Sequence, residues 1–229
     1  MKRSGASTVQ DGVVLLHGLC RTKASMLTMQ MALADAGFRV ENVDYPSRTA
    51  PIEQLSDGAI GQALESPRLS GCAQVHFVTH SLGGILVRSY FKRHDVARLG
   101  RVVMLGPPNQ GSEVVDGIGS WWMFRKLNGP SGSELGTGND STPNTLGPVH
   151  FELGVIAGDR SINWINSMMI AGKDDGKVSV ARTKVEGMKE HLVVHSPHPF
   201  LMTNKTVIEN TIRFLKTGSF QRQRGVRAD

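Results

Sequence analysis

The sequence predicts an α/β architecture, a mostly parallel central sheet with helices on both faces, and three observations predict it. Apolar runs of strand length alternate with segments of helical period, the first of those runs shows no inside-outside alternation, and the glycine-rich or polar motifs fall at the carboxyl ends of the strands. With 26 Gly and 10 Pro but only 6% aromatics in 229 residues, the chain has the punctuation of many short connections. That length suits one core of two or three layers, and the whole chain, 1–229, is read as a single domain.

The elements follow in order. Asp11-Gly12 opens Val13-Val14-Leu15-Leu16-His17, an apolar strand that stops at Gly18. From Ser25 to Ala36 the positions Met26, Leu27, Met29, Leu33 and Ala34 give a helix an apolar face, and Gly37 stands where a left-handed residue ends it. Phe38 to Asp44 is the next strand, closed by Tyr45-Pro46, and Pro51 to Glu65 carries a second helix. Ser70-Gly71-Cys72 leads into the strand Gln74-Val75-His76-Phe77-Val78-Thr79-His80, with a helix from Gly84 to His94 directly behind it. Val102 to Leu105 is a further buried strand, ending at Gly106-Pro107-Pro108-Asn109-Gln110-Gly111-Ser112. Phe151 to Ala157 and Glu190 to Val194 complete the strands, and Val207 to Lys216 closes the chain with Ile208, Ile212 and Leu215 on one stripe.

The stretch 117–147 breaks the alternation. It holds Trp121-Trp122-Met123-Phe124 followed by three glycine- and serine-rich clusters, with no clean period, and is expected to be a cap-like or lid-like insertion. The end of the chain, 217–229, is a basic tail that supplies part of a formal charge of +6. Without interleaved aromatics to stack bases, that charge reads as a solvated tail, and no nucleic-acid partner is expected. The basic start lacks an apolar stretch, and no run approaches the 18 residues needed to cross a bilayer, so the expected location is cytoplasmic. Cys20 and Cys72 should stand at opposite ends of parallel strands, unpaired; two cysteines exclude a disulfide framework and a four-thiolate metal site. No cofactor or metal is expected.

The chemistry is concentrated where the third strand stops. Thr79-His80-Ser81-Leu82-Gly83-Gly84 turns a strand into a helix at a serine, which exposes the hydroxyl at the sheet tip beside unpaired helix N–H groups. A serine hydroxyl is a weak nucleophile until a base accepts its proton and a third group fixes the base's tautomer. Ser81 is the expected nucleophile, His198 the base and Asp175 the orienting acid. Asp174 and Asp159 are the alternatives for the acid, and His195 and then His191 for the base. Asp175-Gly176-Lys177-Val178 puts its carboxylate on a turn, and Ser196-Pro197-His198-Pro199-Phe200 is a loop past a strand end. His17-Gly18-Leu19 closes the first strand, so the N–H groups of Leu19 and Leu82 are expected to form an oxyanion hole, with His17 bracing that loop.

These motifs resemble the α/β-hydrolase superfamily, and within it the small lipase-like serine esterases. The resemblance rests on His17-Gly18, the elbow at Ser81, the Pro-containing segment after Leu105, Asp175-Gly176-Lys177-Val178 and His198-Pro199-Phe200-Leu201-Met202, and it runs from about Gly12 to Phe220. In related compact lipases the acid and the histidine lie a little over twenty residues apart, as Asp175 and His198 do. The common elbow begins with Gly where this chain has Thr79, which calls for more room at the neighbouring strand. The resemblance implies hydrolysis of carboxylic esters through an acyl-enzyme, on a small-molecule ester or lipid-like substrate. Trp121, Trp122, Phe124, Met168 and Met169 are expected to line an acyl pocket for short to medium chains. Two other readings keep the fold: an acyltransferase with the same triad, and a non-catalytic binding protein.

Overall fold

The computed structural model describes residues 10–119, 122–162, 170 and 172–221. Six strands form one sheet: β1 (Gly12–Leu16), β2 (Arg39–Val43), β3 (Val75–His80), β4 (Leu99–Leu105), β5 (Leu153–Gly158) and β6 (Glu190–Val194). Their order is β2-β1-β3-β4-β5-β6, and every neighbouring pair is parallel. The parallel sheet with helices against both faces is the predicted fold class.

Alternate side chains of the buried strands feed two separate cores. Val14, Leu16, Phe77, Val102, Met104 and Val155 pack with α2 (Ile52–Leu64) and α3 (Leu82–Arg93). Val13, Leu15, Val78, Val103, Leu105 and Ile156 pack with α1 (Leu27–Asp35) and with the closing helix Lys205–Thr217. Residues 13–16 of β1 are all fully buried, which is why that run shows no alternation.

The predicted Ser25 to Ala36 helix is in fact a 3-10 turn, Lys23–Met26, running into α1, and Gly37 after it has φ +97°. The strand expected from Phe151 begins at Leu153, since the edge of β5 is set by pairing with β4 at Val102. Within 117–147 the chain is more helical than its composition suggests. α4 (Glu113–Gly119) runs into it, and it holds α5 (Trp122–Ser133) and the single turn α6 (Thr142–Thr145). Gly129, at φ +67°, breaks α5 in the middle, and Pro130 starts the second part with its ring where no N–H is needed.

Arg88 of α3 ties the return of this excursion to the core. Its guanidinium donates to the carbonyls of Asn109 (2.8 Å), Pro143 (3.0 Å) and Gly147 (2.8 Å), and burial pushes its pKa down to about 10. The last helix, α7 (Lys205–Thr217), is capped by the Asn204 side chain on the Val207 N–H and ends at left-handed Gly218.

The strand order fixes where a ligand can sit. From β1 the chain moves outward to β2, then returns to the other side of β1 as β3, so the loops after β1 and β3 leave in opposite directions. A crevice opens between them at the carboxyl edge of the sheet. Gly18 and Ser81 stand at that point.

Candidate active site

Ser81 has φ +52° and ψ −118°, and with Cys20 it is one of two non-glycine residues at positive φ among the described residues. Such a backbone costs about 1–3 kcal/mol and persists only where packing imposes it. Here its N–H donates to the Leu105 carbonyl of β4 (2.9 Å), and two glycines let α3 close in behind it. A Cβ on Gly83 would lie 2.8 Å from the Leu16 carbonyl oxygen, and one on Gly84 would lie 3.1 Å from Pro107 and 3.3 Å from Thr79 Oγ1. The room that Thr79 needs therefore comes from Gly84 on α3, not from the neighbouring strand.

The predicted acid and base meet. His198 Nδ1 donates to Asp175 Oδ2 at 2.7 Å, and the His198 N–H donates to the Asp175 carbonyl at 2.9 Å. The other carboxylate oxygen, Oδ1, accepts the N–H groups of Lys177 (3.0 Å) and Val178 (2.9 Å), so a tight turn holds the side chain that holds the ring. Both residues are buried, and with Nδ1 carrying the proton a neutral ring keeps its Nε2 lone pair free. Ser81, Asp175 and His198 all line one cavity of about 290 Å³, together with Leu19.

The alternatives lie elsewhere. Asp159 and His195 pair with each other at 2.9 Å, His195 being 74% exposed, and neither lines the cavity. Asp174 Oδ1 accepts the Gly176 N–H within its own turn. His191 sits in β6 against Thr183 Oγ1, and burial and then the Lys184 charge push its pKa down to about 4.

His17 braces the β1 loop as expected. It is fully buried, donates from Nδ1 to the Gly18 carbonyl (2.9 Å), stacks on Tyr45 with ring centroids 4.1 Å apart, and receives the Tyr45 hydroxyl on its own carbonyl (2.6 Å). Burial holds it below the ordinary histidine pKa. Neither the Leu19 nor the Leu82 N–H has an intramolecular acceptor among the described residues, which leaves both amides at the site free to donate.

Three residues without an assigned role in the sequence reading shape this site. His80 is buried between the two loops, donates from Nε2 to the His198 carbonyl (3.1 Å), and has its ring centroid 4.6 Å from that of His198. Burial first, and the neighbouring His198 second, hold it well below the ordinary histidine pKa. Gly106, at φ +55°, passes so close that a Cβ there would lie 3.0 Å from His198 Nδ1 and 3.1 Å from Asp175 Oδ2. Gly158 gives Asp175 its space in the same way, at 2.9 Å. Their signal in the sequence is a glycine at the end of each of two apolar strands.

The topology, the strained serine and the family comparison agree. A family model described as "Alpha/beta hydrolase family" matches residues 13–198. This chain belongs to the α/β-hydrolase family. Among solved structures, this α/β-hydrolase resembles the mature lipase BlEst2 of Bacillus licheniformis, with a TM-score of 0.71 at 18% identity over 93% of this chain and 94% of that one. It resembles the phospholipase PlaB of Legionella pneumophila with a TM-score of 0.70 at 17% identity, over 92% of this chain and 60% of that longer one. An esterase of Pyrococcus furiosus matches with a TM-score of 0.60 at 18% identity, over 90% and 81% of the two chains. No curated protein matches the sequence. At such identities the shared property is the fold.

Of the residues expected to line the acyl pocket, Trp121, Met168 and Met169 lie outside the described residues, as do the side chains of Trp122 and Phe124. The described part of the cavity wall is apolar at Leu19, Val114, Val115, Leu135, Ile162 and Val178. Among the described residues no cluster of three His, Cys, Asp or Glu could hold a metal ion, and no helix is long and apolar enough to cross a membrane.

Proposed function

We propose that this α/β-hydrolase cleaves carboxylic esters through an acyl-enzyme on Ser81. The observation that carries the reading is the 2.7 Å pair of His198 and Asp175, which lines the same cavity as a serine at positive φ. Ser81 Oγ attacks the ester carbonyl while His198 Nε2 takes its proton, and Asp175 stabilises the resulting imidazolium without itself being protonated. The N–H groups of Leu19 and Leu82 receive the oxyanion, an interaction made only as the tetrahedral species forms. Collapse breaks the bond to the alkoxide, which leaves with the proton from His198. Water, giving a proton to the same ring, then attacks the acyl-serine, and the ring returns that proton to Ser81 Oγ as the acid leaves.

The apolar wall suits the acyl chain of a small-molecule or lipid-like ester, and Trp121, Trp122, Phe124, Met168 and Met169 are proposed to extend it. A fluorophosphonate probe tests the mechanism. Covalent labelling of the folded wild type and none of Ser81→Ala is expected, together with turnover of a short p-nitrophenyl ester; equal behaviour of the two proteins rejects it. Product analysis with and without an added alcohol or amine separates hydrolysis from acyl transfer.

A further inference from the structure

Among the described residues two cations line the cavity, and neither has a side-chain partner there. Arg21 follows the left-handed Cys20 on the loop after β1, and Lys177 follows the Asp175 turn. Their backbones are fixed: the Arg21 N–H donates to the Gly18 carbonyl (3.2 Å), the Lys177 N–H to Asp175 Oδ1 (3.0 Å), and the Lys177 carbonyl accepts Ser112 Oγ (2.7 Å). Their side chains are exposed, and among the described residues neither makes an ion pair or side-chain hydrogen bond. Some cations elsewhere are committed, Arg182 to Glu113 at 2.6 Å, Arg101 to Glu152 at 2.7 Å, Arg93 to Asp57 at 2.8 Å and Arg88 to its ring of carbonyls, and others such as Lys23, Lys173 and Arg213 are solvated, so it is the position of Arg21 and Lys177 beside the nucleophile that sets them apart.

Asp175 is the one carboxylate among the described residues lining the cavity, and both of its oxygens are in use. The cavity therefore has apolar walls for a chain and a rim with two cations, Arg21 and Lys177, that form no ion pair with its one carboxylate, Asp175, among the described residues. The Arg21 charge is felt within the site, as one of the influences that keep His80 neutral. Arg21 and Lys177, one cation on each of two loops, both line the cavity that holds the nucleophile, Arg21 standing at its junction with a neighbouring cavity lined by Asp44, and together they match an anion carried by the substrate itself.

We propose that the site selects esters bearing an oxyanionic substituent, a carboxylate or a phosphate, held by Arg21 and Lys177 while the ester carbonyl faces Ser81. The proposal rests on the serine-hydrolase reading for its turnover but not for its binding. A planar guanidinium pairs a carboxylate or phosphate through two hydrogen bonds, whereas the ammonium of Lys177 adds a mobile point charge. Arg21 is accordingly the stronger determinant.

The test compares matched esters on the whole chain. Monoethyl glutarate against diethyl glutarate forms the carboxylate arm, and 2-(phosphonooxy)ethyl butyrate against 2-methoxyethyl butyrate forms the phosphate arm. In at least one arm, kcat/KM for the anionic ester should exceed that of its neutral partner by about tenfold at low salt. That ratio should fall about fivefold in Arg21→Gln, fall less in Lys177→Gln, drop below one in Arg21→Glu, and shrink in about 0.5 M NaCl. The arm that shows the preference identifies the anion.

Calorimetric titration of the same esters into Ser81→Ala and Ser81→Ala/Arg21→Gln reads binding without chemistry. If the wild type turns over no ester and the probe fails to label Ser81, the hydrolase reading fails, and the ratio of affinities on Ser81→Ala still decides the anion preference. A ratio at or below one in both arms, or one that the Arg21 variants leave unmoved, overturns the proposal.

Discussion

His80 donates its Nε2 hydrogen to the main-chain carbonyl of His198, 3.1 Å away, so the residue just before the nucleophile holds the loop that carries the base. On its other side, the ring leaves room only for glycine at position 18, where a Cβ would lie 2.7 Å from His80 Nδ1. One buried imidazole thus sets the spacing between the β1 loop, the elbow and the base.

Removing that ring should loosen the base more than it weakens substrate binding. His80→Ala is expected to lower kcat by about 10- to 100-fold with a much smaller change in KM, since a misplacement of about 1 Å is enough for such a loss. His80→Gln, which can still offer an N–H to the His198 carbonyl, should recover part of it. Steady-state kinetics on a short p-nitrophenyl ester check this, and equal losses in the two variants would contradict a positioning role.

Gly106 gives a second test, because its backbone and its surroundings can be separated. In Gly106→Ala the new methyl meets the His198–Asp175 pair at about 3 Å and the backbone stays at φ +55°. Gly37→Ala also forces a positive φ, +97°, but a Cβ there has nothing within 4 Å. Both variants should lose about 1 kcal/mol or more in denaturant melts. Only Gly106→Ala should also lose kcat, by about 100-fold, as the pair is pushed out of line.

The two Asp–His pairs separate the acid's role from general electrostatics. Asp175→Asn can satisfy the turn with its amide oxygen, but its NH₂ then faces His198 Nδ1 and imposes the wrong tautomer. A loss of kcat of about 10⁴ is expected, the magnitude known for this substitution in a serine protease. Asp159→Asn breaks only the partly exposed pair with His195 and should change kcat by less than about twofold. Equal effects would mean that the acid has been misassigned.

What the sequence made legible follows from locality. β1, the elbow at Ser81 and the helix behind it are each written in consecutive residues, so periodicity and glycine placement were sufficient. Asp159 and Asp175 both follow strands or turns, and His195 and His198 both follow β6, so neighbours alone left them open. What separates them is the path of the loops after β5 and β6, which turns 175 and 198 over the sheet edge and leaves 159 and 195 outside it. His80, Gly106 and Gly158 were hidden for the same reason: their roles arise where loops from different strands meet. That Arg21 and Lys177 have no side-chain partner among the described residues is likewise a property of the folded surface, invisible in a count of charges.

Stability should also depend on pH through histidines that the fold keeps neutral. Burial lowers the pKa of His17, His76, His80 and His191, the last to about 4 with the Lys184 charge as a second cause. In the unfolded chain each titrates near the ordinary value of about 6.5. Below that value the unfolded state binds protons that the folded state refuses, so unfolding takes up protons and stability falls as pH falls. The contribution of His191 is fully present above about pH 6.5 and is lost through the window down to about pH 4. His191→Gln removes one such site and should reduce the number of protons taken up on unfolding near pH 5 by close to one. Its stability gap between pH 7.5 and pH 5 should therefore shrink by up to about 2 kcal/mol. Denaturant melts of both proteins across that range measure the slope, and an unchanged slope would show that His191 is solvated and protonated in the folded state.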